Sequence, residues 1–208
     1  MTYSKKDLIK IVKIQAIVRG FLQRKRILIP SGKYQTKNWR KKQKWYKGGK
    51  CTECEKHQLN IIESIIDQKI FKTYARINID NYKLIEIRNP MTKSDGFEYT
   101  ENFDGYFLLR NKINIFINLK FVCDQGGAQT RSLREVYHFI KAQYMFLREN
   151  TGKHVFINIL DGDCSHKYMD KFRHLEQIHK KYARYCFVGD MRQFQDFYIY
   201  DLSMRSSK

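Results

Sequence analysis

Residues 102–131 read NFDGYFLLRNKINIFINLKFVCDQGGAQTR, and the pattern in this stretch predicts the core of the fold. Ile113–Cys123 is an apolar run rich in Ile, Val and Phe, which is typical of a buried strand. Asp104 begins the strand before this run, and the pair Gly126-Gly127 follows the run at the start of a helix. Asn118 and Lys120 are two residues apart and therefore project from one face. If the strands are neighbours, the three polar residues predict a metal-assisted phosphodiester site at one end of a sheet.

The segments around this stretch alternate between helical and strand patterns. Helical spacing of apolar residues occurs in residues 56–75, 129–148 and 168–182, and strand patterns occur in residues 81–87, 154–160 and 185–188. With the two central strands, the predicted order is α-β-β-β-α-β-α-β. Such an order predicts a mixed α/β core that has helices on both faces of its sheet.

Length and composition predict one ordinary domain with an appendage. The chain has 208 residues, of which 42% are hydrophobic, enough to bury a core. No apolar run reaches 18 residues, so we expect no membrane span. The first residues lack a signal-peptide pattern, and five cysteines do not suggest a disulfide framework. We therefore expect a soluble, intracellular protein that is not secreted.

The formal net charge of +19 is concentrated near the N-terminus. Residues 1–50 contain sixteen Lys or Arg side chains and a single acid, Asp7, whereas acids and bases nearly balance in residues 51–208. This distribution predicts a basic arm before an α/β domain. A polyanion is the expected partner: nucleic acid, an acidic protein or an anionic membrane surface.

Residues 5–28 have the apolar spacing of an amphipathic helix. Within them, residues 14–27 resemble the IQ motif. The matching positions are Ile14, Gln15, Arg19, Gly20 and Arg24. The resemblance implies binding of calmodulin or another EF-hand protein, whose apolar groove and acidic rim suit a basic amphipathic helix. The alternative is a helix that packs on its own domain or lies on an anionic surface.

Residues 37–50 form a linker in which cationic and aromatic side chains alternate. Cations neutralise phosphates, and aromatic rings stack on bases. The candidate DNA-binding residues here are Trp39, Arg40, Lys41, Lys42, Lys44 and Trp45. The alternative is a solvated linker whose tryptophans anchor it on the fold.

Cys51, Cys54 and His57 form a C-x2-C pattern followed by a histidine. Two thiolates and an imidazole suit Zn²⁺, although a complete structural site needs a fourth ligand. The other close pair of such residues is Cys164 and His166. The alternative is a pair of ordinary thiols at the start of a helix, with His57 capping the helix or exposed.

The order of elements and the central motifs resemble the PD-(D/E)XK nuclease superfamily, in particular its restriction endonuclease-like members. That family has a four-stranded mixed sheet flanked by helices, with an Asp at the start of the second core strand, matched here by Asp104. An acid-x-Lys motif follows on the next strand, and Asn118-Leu119-Lys120 occupies that place. Glu63 matches the acid on the first helix, and residues 126–131 resemble the turn and helix start that follow the Lys.

The resemblance implies a metal-dependent endonuclease that acts on double-stranded DNA, with a homodimer as the expected assembly. Asp104, Asn118 and Glu63 are the implied ligands of Mg²⁺ or Mn²⁺. Lys120 is expected to neutralise charge on the phosphate. Gln129 and Arg131, at a helix start, are expected to hold a phosphate.

Asn118 departs from the family pattern because the family has Glu or Asp at that position. Asn offers a neutral oxygen, which binds a hard cation less strongly than a carboxylate does. Three explanations are open: an acid from elsewhere (Glu63, Glu98 or Glu101), a degenerate nuclease that binds without cutting, or an inactivating substitution at position 118. The alternative to a catalytic site altogether is that Lys120 extends to solvent from the end of the sheet and Asp104 lies in a simple turn.

Three functions therefore compete: an endonuclease, a non-catalytic nucleic-acid-binding module of the same fold, and a calmodulin-binding adaptor. Steeply salt-dependent binding of nucleic acid is expected for the first two. The coexistence of nuclease-like and IQ-like patterns, with a Lys-, Ile- and Asn-rich composition, favours a viral protein of a eukaryotic host.

Overall fold

The computed structural model describes residues 27–48, 51–86, 98–109, 112–123 and 126–198, without the side chain of Cys51. The predicted IQ positions from Ile14 to Arg24 lie outside these ranges. Of the helix predicted for residues 5–28, the described residues are Ile27 and Leu28, and these are not helical.

The strands are short, and the helices vary in length from five to 23 residues. The strands are β1 (Ala75–Ile77), β2 (Leu84–Glu86), β3 (Gly105–Leu109), β4 (Ile113–Phe121), β5 (His154–Asp161) and β6 (Cys186–Gly189). The helices are α1 (Lys37–Lys41), α2 (Cys51–Ile66), α3 (Gly127–Glu149), α4 (Asp163–Lys167), α5 (Met169–Ile178) and α6 (Met191–Phe197), with 3-10 turns at Gly32–Tyr34 and Lys180–Tyr185. Within the described ranges, no helix has the length and apolar character needed to cross a membrane.

The central sheet has four strands in the order β3-β4-β5-β6. β3 is antiparallel to β4, whereas β4, β5 and β6 are parallel. This arrangement confirms the predicted mixed α/β fold with a four-stranded mixed sheet. The strand predicted for residues 81–87 is found at Leu84–Glu86, and this β2 pairs with β1 in a separate two-stranded sheet.

Two apolar clusters fill the two sides of the central sheet. On one side, α3 and α5 pack against Phe116, Phe156 and Leu160. On the other side, α2 and α6 pack against Ile117 and Ile159. Successive residues of a strand point to opposite faces, so β4 and β5 contribute to both clusters. The sheet is therefore covered by helices on both faces, as parallel strands require.

Helix α3 agrees closely with its prediction because its apolar stripe is local and regular. The predicted helix at residues 129–148 is found at Gly127–Glu149. The buried positions of the predicted stripe are Leu133, Val136, Ile140, Tyr144 and Leu147. Burying one such side chain contributes about 1.5–3 kcal/mol, so this stripe holds the helix on the sheet.

Helix α2 begins and ends earlier than the predicted range of 56–75. Asp67 has a φ of 55°, a left-handed conformation that stops the helix after Ile66. The chain then extends, and Phe71 exchanges two backbone hydrogen bonds of 2.8 Å with Tyr106. The predicted C-terminal turns of α2 therefore form an edge segment beside β3.

Residues 29–35, which precede the basic linker, pack on the α/β domain. Ile29 belongs to the apolar cluster between α2 and α6. The backbone N–H of Gly32 donates to Asp190 Oδ2 at 2.9 Å, and the N–H of Gly162 donates to Gln35 Oε1 at 2.9 Å. These contacts cross the domain boundary that the sequence places at residue 50.

Candidate active site

The candidate site lies where β4 extends beyond the start of β3. Asp104 immediately precedes β3, and its backbone N–H donates to Ile117 O at 2.8 Å. Its carboxylate Oδ2 accepts a hydrogen bond of 2.7 Å from the N–H of Leu119. Because both bonds reach β4, the Asp104 carboxylate is fixed beside the strand end that carries Lys120.

Lys120 forms an ion pair with Glu101, in which Nζ lies 2.6 Å from Oε2. The lysine side chain is 22% exposed and the glutamate 58% exposed. Burial lowers the pKa of Lys120, but the hydrogen bond and charge of Glu101 and the charge of Asp104 outweigh it, and the net shift is upward. Lys120 is therefore a fixed positive charge near the C-terminal end of β4.

The surroundings of Asp104 disfavour the charged form of its carboxyl group. Burial raises its pKa to about 7, and the charges of Glu55 and Glu101 act in the same direction. The hydrogen bond from Leu119 and the charge of Lys120 oppose that rise. A cation bound next to this carboxyl group would therefore stabilise its charged form.

Glu55, on α2, is the acid that the sequence-based prediction missed. It lies one turn before Leu59, whose Cδ2 is 3.4 Å from the position that a Cβ on Gly105 would take. The predicted acid, Glu63, lies eight residues further, about 12 Å along the helix. Its Oε1 accepts a hydrogen bond of 2.8 Å from the N–H of Ile70. The structure thus places Glu55, and not Glu63, among the charges that act on Asp104.

Asn118 lies beneath the surface rather than at the open end of the sheet. It is 1% exposed, and its Nδ2 donates to Asn158 Oδ1 at 3.1 Å. Asn158 also exchanges two hydrogen bonds, of 2.7 and 2.9 Å, with Gln143 of α3. Asn118 therefore takes part in a buried amide network, and solvent does not reach it as a hydrated cation would require.

The oxygen donors near Lys120 suit a hard cation better than a soft one. Mg²⁺ is often held by one or two carboxylates together with water and substrate phosphates. Asp104 and one neighbouring acid, Glu55 or Glu101, provide such a set. Among the described residues there is no group of three or more His, Cys, Asp or Glu side chains able to hold a metal by themselves.

The predicted zinc ligands are found in different environments. Cys54 is buried, and Cys164 is buried in the cluster under α3. The imidazole of His57 stacks on Trp45, with ring centroids 4.2 Å apart, and burial lowers the pKa of His57. The side chain of Cys51 lies outside the described residues.

The tryptophans of the basic linker pack on the domain. The ring of Trp39 lies nearly parallel to that of Phe121, and Trp45 contacts the same ring edge-on. Both ring centroids lie 6.3 Å from the Phe121 centroid. Phe121 directly follows Lys120 at the end of β4, so the linker is anchored at the same end of the sheet as the candidate site. The guanidinium group of Arg40 lies 4.9 Å from the centre of the Tyr46 ring. The other predicted cations, Lys41, Lys42 and Lys44, are exposed.

Gln129 lies in the first turn of α3 and Arg131 begins the second, so both are near the helix start, as predicted. The helix begins after Gly126 without a side-chain cap, so its first N–H groups have no cap from that residue. Gln129 Oε1 lies 2.6 Å from the position that a Cβ on Gly126 would take, and Arg131 is exposed.

The chemistry of this site has to be inferred from its own geometry. It combines an acid of raised pKa, a lysine held by a second acid, and a third acid on the neighbouring helix. Comparison of the chain with protein-family models, with curated proteins and with solved structures gives no match.

Proposed function

We propose that this chain is a metal-dependent DNA endonuclease with a restriction endonuclease-like core, which hydrolyses phosphodiester bonds. The observation that carries the proposal is the meeting of Asp104 and Lys120 at one end of a mixed sheet. Glu101 and Glu55 lie near enough for their charges to act on both residues.

The topology supports the resemblance from which the expectation came. The family has an Asp at the start of one core strand and a Lys on the next, which are the positions of Asp104 and Lys120 on β3 and β4. A helix precedes these strands on one face, and α3 connects the parallel strands β4 and β5 on the other. In this proposal Glu55 takes the role of the helix acid that the sequence assigned to Glu63.

The roles of the residues follow from their charges. Asp104, with Glu55 or Glu101, would hold Mg²⁺ or Mn²⁺. The bound ion would lower the pKa of a water molecule and stabilise negative charge on the phosphate. Lys120 would place its ammonium group against a phosphate oxygen as that oxygen gains charge. If Glu55 is the second metal ligand, Glu101 would keep Nζ in place for this role, since it already lies 2.6 Å from it.

The basic linker supports DNA as the substrate class. Its tryptophans are used in packing, so its contribution to binding comes from the exposed cations Lys41, Lys42 and Lys44. Phosphate neutralisation by such side chains releases counterions and gives affinity that depends on salt. An EF-hand partner and a homodimer remain proposals that rest on the sequence.

A second candidate is a non-catalytic nucleic-acid-binding module of the same fold. The buried position of Asn118 favours it, because that residue supplies neither a carboxylate nor an open coordination position. The two candidates differ in whether the acids at the sheet end promote cleavage.

Cleavage of supercoiled plasmid in Mg²⁺ or Mn²⁺ tests the proposal directly. Asp104→Asn, Glu55→Gln and Lys120→Met are each expected to lower the rate about 100-fold or more, the scale expected for removing one electrostatic stabiliser. Lys112→Met and Glu149→Gln, which change exposed charges elsewhere, are the matched controls and should cut like wild type. If the wild-type chain binds plasmid in both metals without cutting it, the binding module replaces the nuclease.

A further inference from the structure

A groove of about 770 Å³ lies between α3 and α5, on the side of the sheet opposite α2. Its floor is apolar and includes Leu133 and Phe172, both buried. The rings of Tyr137 and Tyr168 are only partly buried in it. Tyr137 and Phe172, from the two helices, have ring centroids 6.1 Å apart. The groove therefore offers aromatic faces between two helices that touch.

The rim of the groove is positively charged. Arg134 lies on α3 and Lys171 lies on α5, and both side chains are exposed. Within the described part of the chain, neither forms an ion pair. His138 and His174 continue the two rims one helical turn further, and the acid on the rim is Asp170. The groove thus complements an anion that carries flat, apolar groups.

One end of the groove lies at the sheet edge that carries Lys120. Thr130 lines this end, and α3 begins only six residues after the end of β4. The N–H of Cys164 donates to Val122 O at 3.2 Å, which ties the start of the α4–α5 segment to the same edge. The groove therefore opens at the same end of the sheet as the candidate active site.

The chemistry of the groove fits one nucleic-acid strand better than other occupants. Bases stack on aromatic rings while phosphates meet cations, which is the usual basis of single-strand binding. A duplex cannot make the same stacking contacts, because its bases are already stacked on one another and paired. A second copy of this chain, with a formal net charge of +19, would be repelled by the cationic rim.

We propose that this groove binds a single-stranded segment of DNA, with bases on Tyr137 and Tyr168 and phosphates at Arg134 and Lys171. The inference rests on the proposed function, because it makes the groove an extension of the nuclease site. It adds a substrate class to that function: DNA that contains a single-stranded stretch next to the bond that is cut.

The test is the binding of a fluorescein-labelled oligo(dT) to the full chain, followed by anisotropy in about 0.3 M salt, where non-specific attraction to the basic arm is weak. Tyr137→Leu and Tyr168→Leu keep apolar volume but lose the π-face, and each is expected to weaken binding about tenfold. Tyr137→Phe and Tyr168→Phe should bind like wild type. When the measurement is repeated over a series of salt concentrations, Arg134→Gln is expected to reduce the slope of log K against log salt by about 0.7, the value for one phosphate of a single strand. Arg148→Gln, about 21 Å further along α3, should leave binding and slope unchanged.

The outcomes separate this inference from the proposed function. Loss of binding in the Leu variants with retention in the Phe variants supports the groove, whether or not plasmid is cleaved. Equal binding by wild type and both Leu variants overturns the groove inference, even if cleavage depends on Asp104. Competition by an acidic amphipathic peptide that requires Tyr137, without any effect of Tyr137→Leu on oligo(dT), would assign the groove to a protein partner instead.

Discussion

At the scale of single residues, Asp161 shows how burial controls a carboxyl group in this fold. It ends β5, is 2% exposed, and accepts hydrogen bonds from Gln58 Nε2 at 2.7 Å and from the N–H of Met191 at 3.1 Å. Burial nevertheless raises its pKa to about 6. Because the folded-state pKa lies above the unfolded value, the stability it contributes is complete below about pH 4 and is lost as pH rises through about 6.

Asp161→Asn is expected to be more stable than wild type at pH 8 by up to about 3 kcal/mol, and equally stable near pH 4. Asn can still accept from Met191. Its Nδ2 can donate to Gln58 once the Gln58 amide turns over, because Nε2 now faces this position and Oε1 has no partner within the described residues. Denaturant unfolding at pH 4.5 and pH 8 measures the difference. The exposed Asp80→Asn is the control, and an equal gain at both pH values would contradict the assignment.

Asn118 tests whether position 118 belongs to the active site or to the core. Asn118→Asp would place a carboxylate oxygen against Asn158 Oδ1 in a site that solvent does not reach. The expected result is a loss of about 2–4 kcal/mol at pH 8, with a smaller loss in acid, and no gain in plasmid cleavage. Unfolding and cleavage are measured on the same preparation. Cleavage that rises in Asn118→Asp or Asn118→Glu would instead show that this position holds the metal.

At the scale of elements, the turn between β5 and α4 sets the sheet edge beside the candidate site. Gly162 has a φ of 97°, and a Cβ there would collide with the carbonyl oxygen of Val122. Gly152, in the turn before β5, has a similar φ of 96° but no atom within 4 Å of such a Cβ. Replacing each glycine by alanine therefore distinguishes the cost of a left-handed backbone from the cost of a steric clash.

Gly162→Ala is expected to destabilise the fold by more than about 3 kcal/mol, because the strand end carrying Val122 has to move. Gly152→Ala should cost only about 1 kcal/mol, which is the cost of the left-handed conformation alone. Denaturant midpoints measured for both variants give the comparison. Equal losses of stability in the two variants would show that the end of β4 moves without cost to make room for the added Cβ.

The elements also show what the sequence could and could not predict. β4, α3 and β5 were predictable because each pattern is continuous and local. The end of α2 was not, because it depends on the left-handed backbone of Asp67, a residue type that also occurs inside helices. Glu55 lies outside the helix that the sequence predicts from residue 56, whereas Glu63 lies within it, and only the earlier start and the packing of α2 bring Glu55 near Asp104. The network of Asn118, Asn158 and Gln143 joins three elements and has no local signal.

At the scale of the whole molecule, exposed cations lie at both ends of the central sheet. Lys41, Lys42 and Lys44 are held beside Phe121, at the end that carries Lys120. Lys69, Lys112 and Lys153 are exposed and lie away from that end. Lys69 is in the turn after α2, next to Gln68, whose Nε2 donates to Leu108 O near the far end of β3, and Lys112 and Lys153 are in the turns before β4 and β5. Triple substitution to Gln removes the same charge from either group, so the net charge of the two variants is identical.

If duplex DNA lies across the proposed active site, the two triple variants should differ although their charges match. The linker variant is expected to reduce the slope of log K against log salt by nearly three, at about 0.9 for each phosphate that is no longer neutralised. The other variant should leave the slope nearly unchanged, because its lysines would not meet the duplex. Anisotropy of a labelled duplex between about 50 and 200 mM salt measures both slopes. Equal reductions of the slope would mean that net charge alone attracts DNA and that the duplex does not bind specifically at the end of the sheet that carries Lys120.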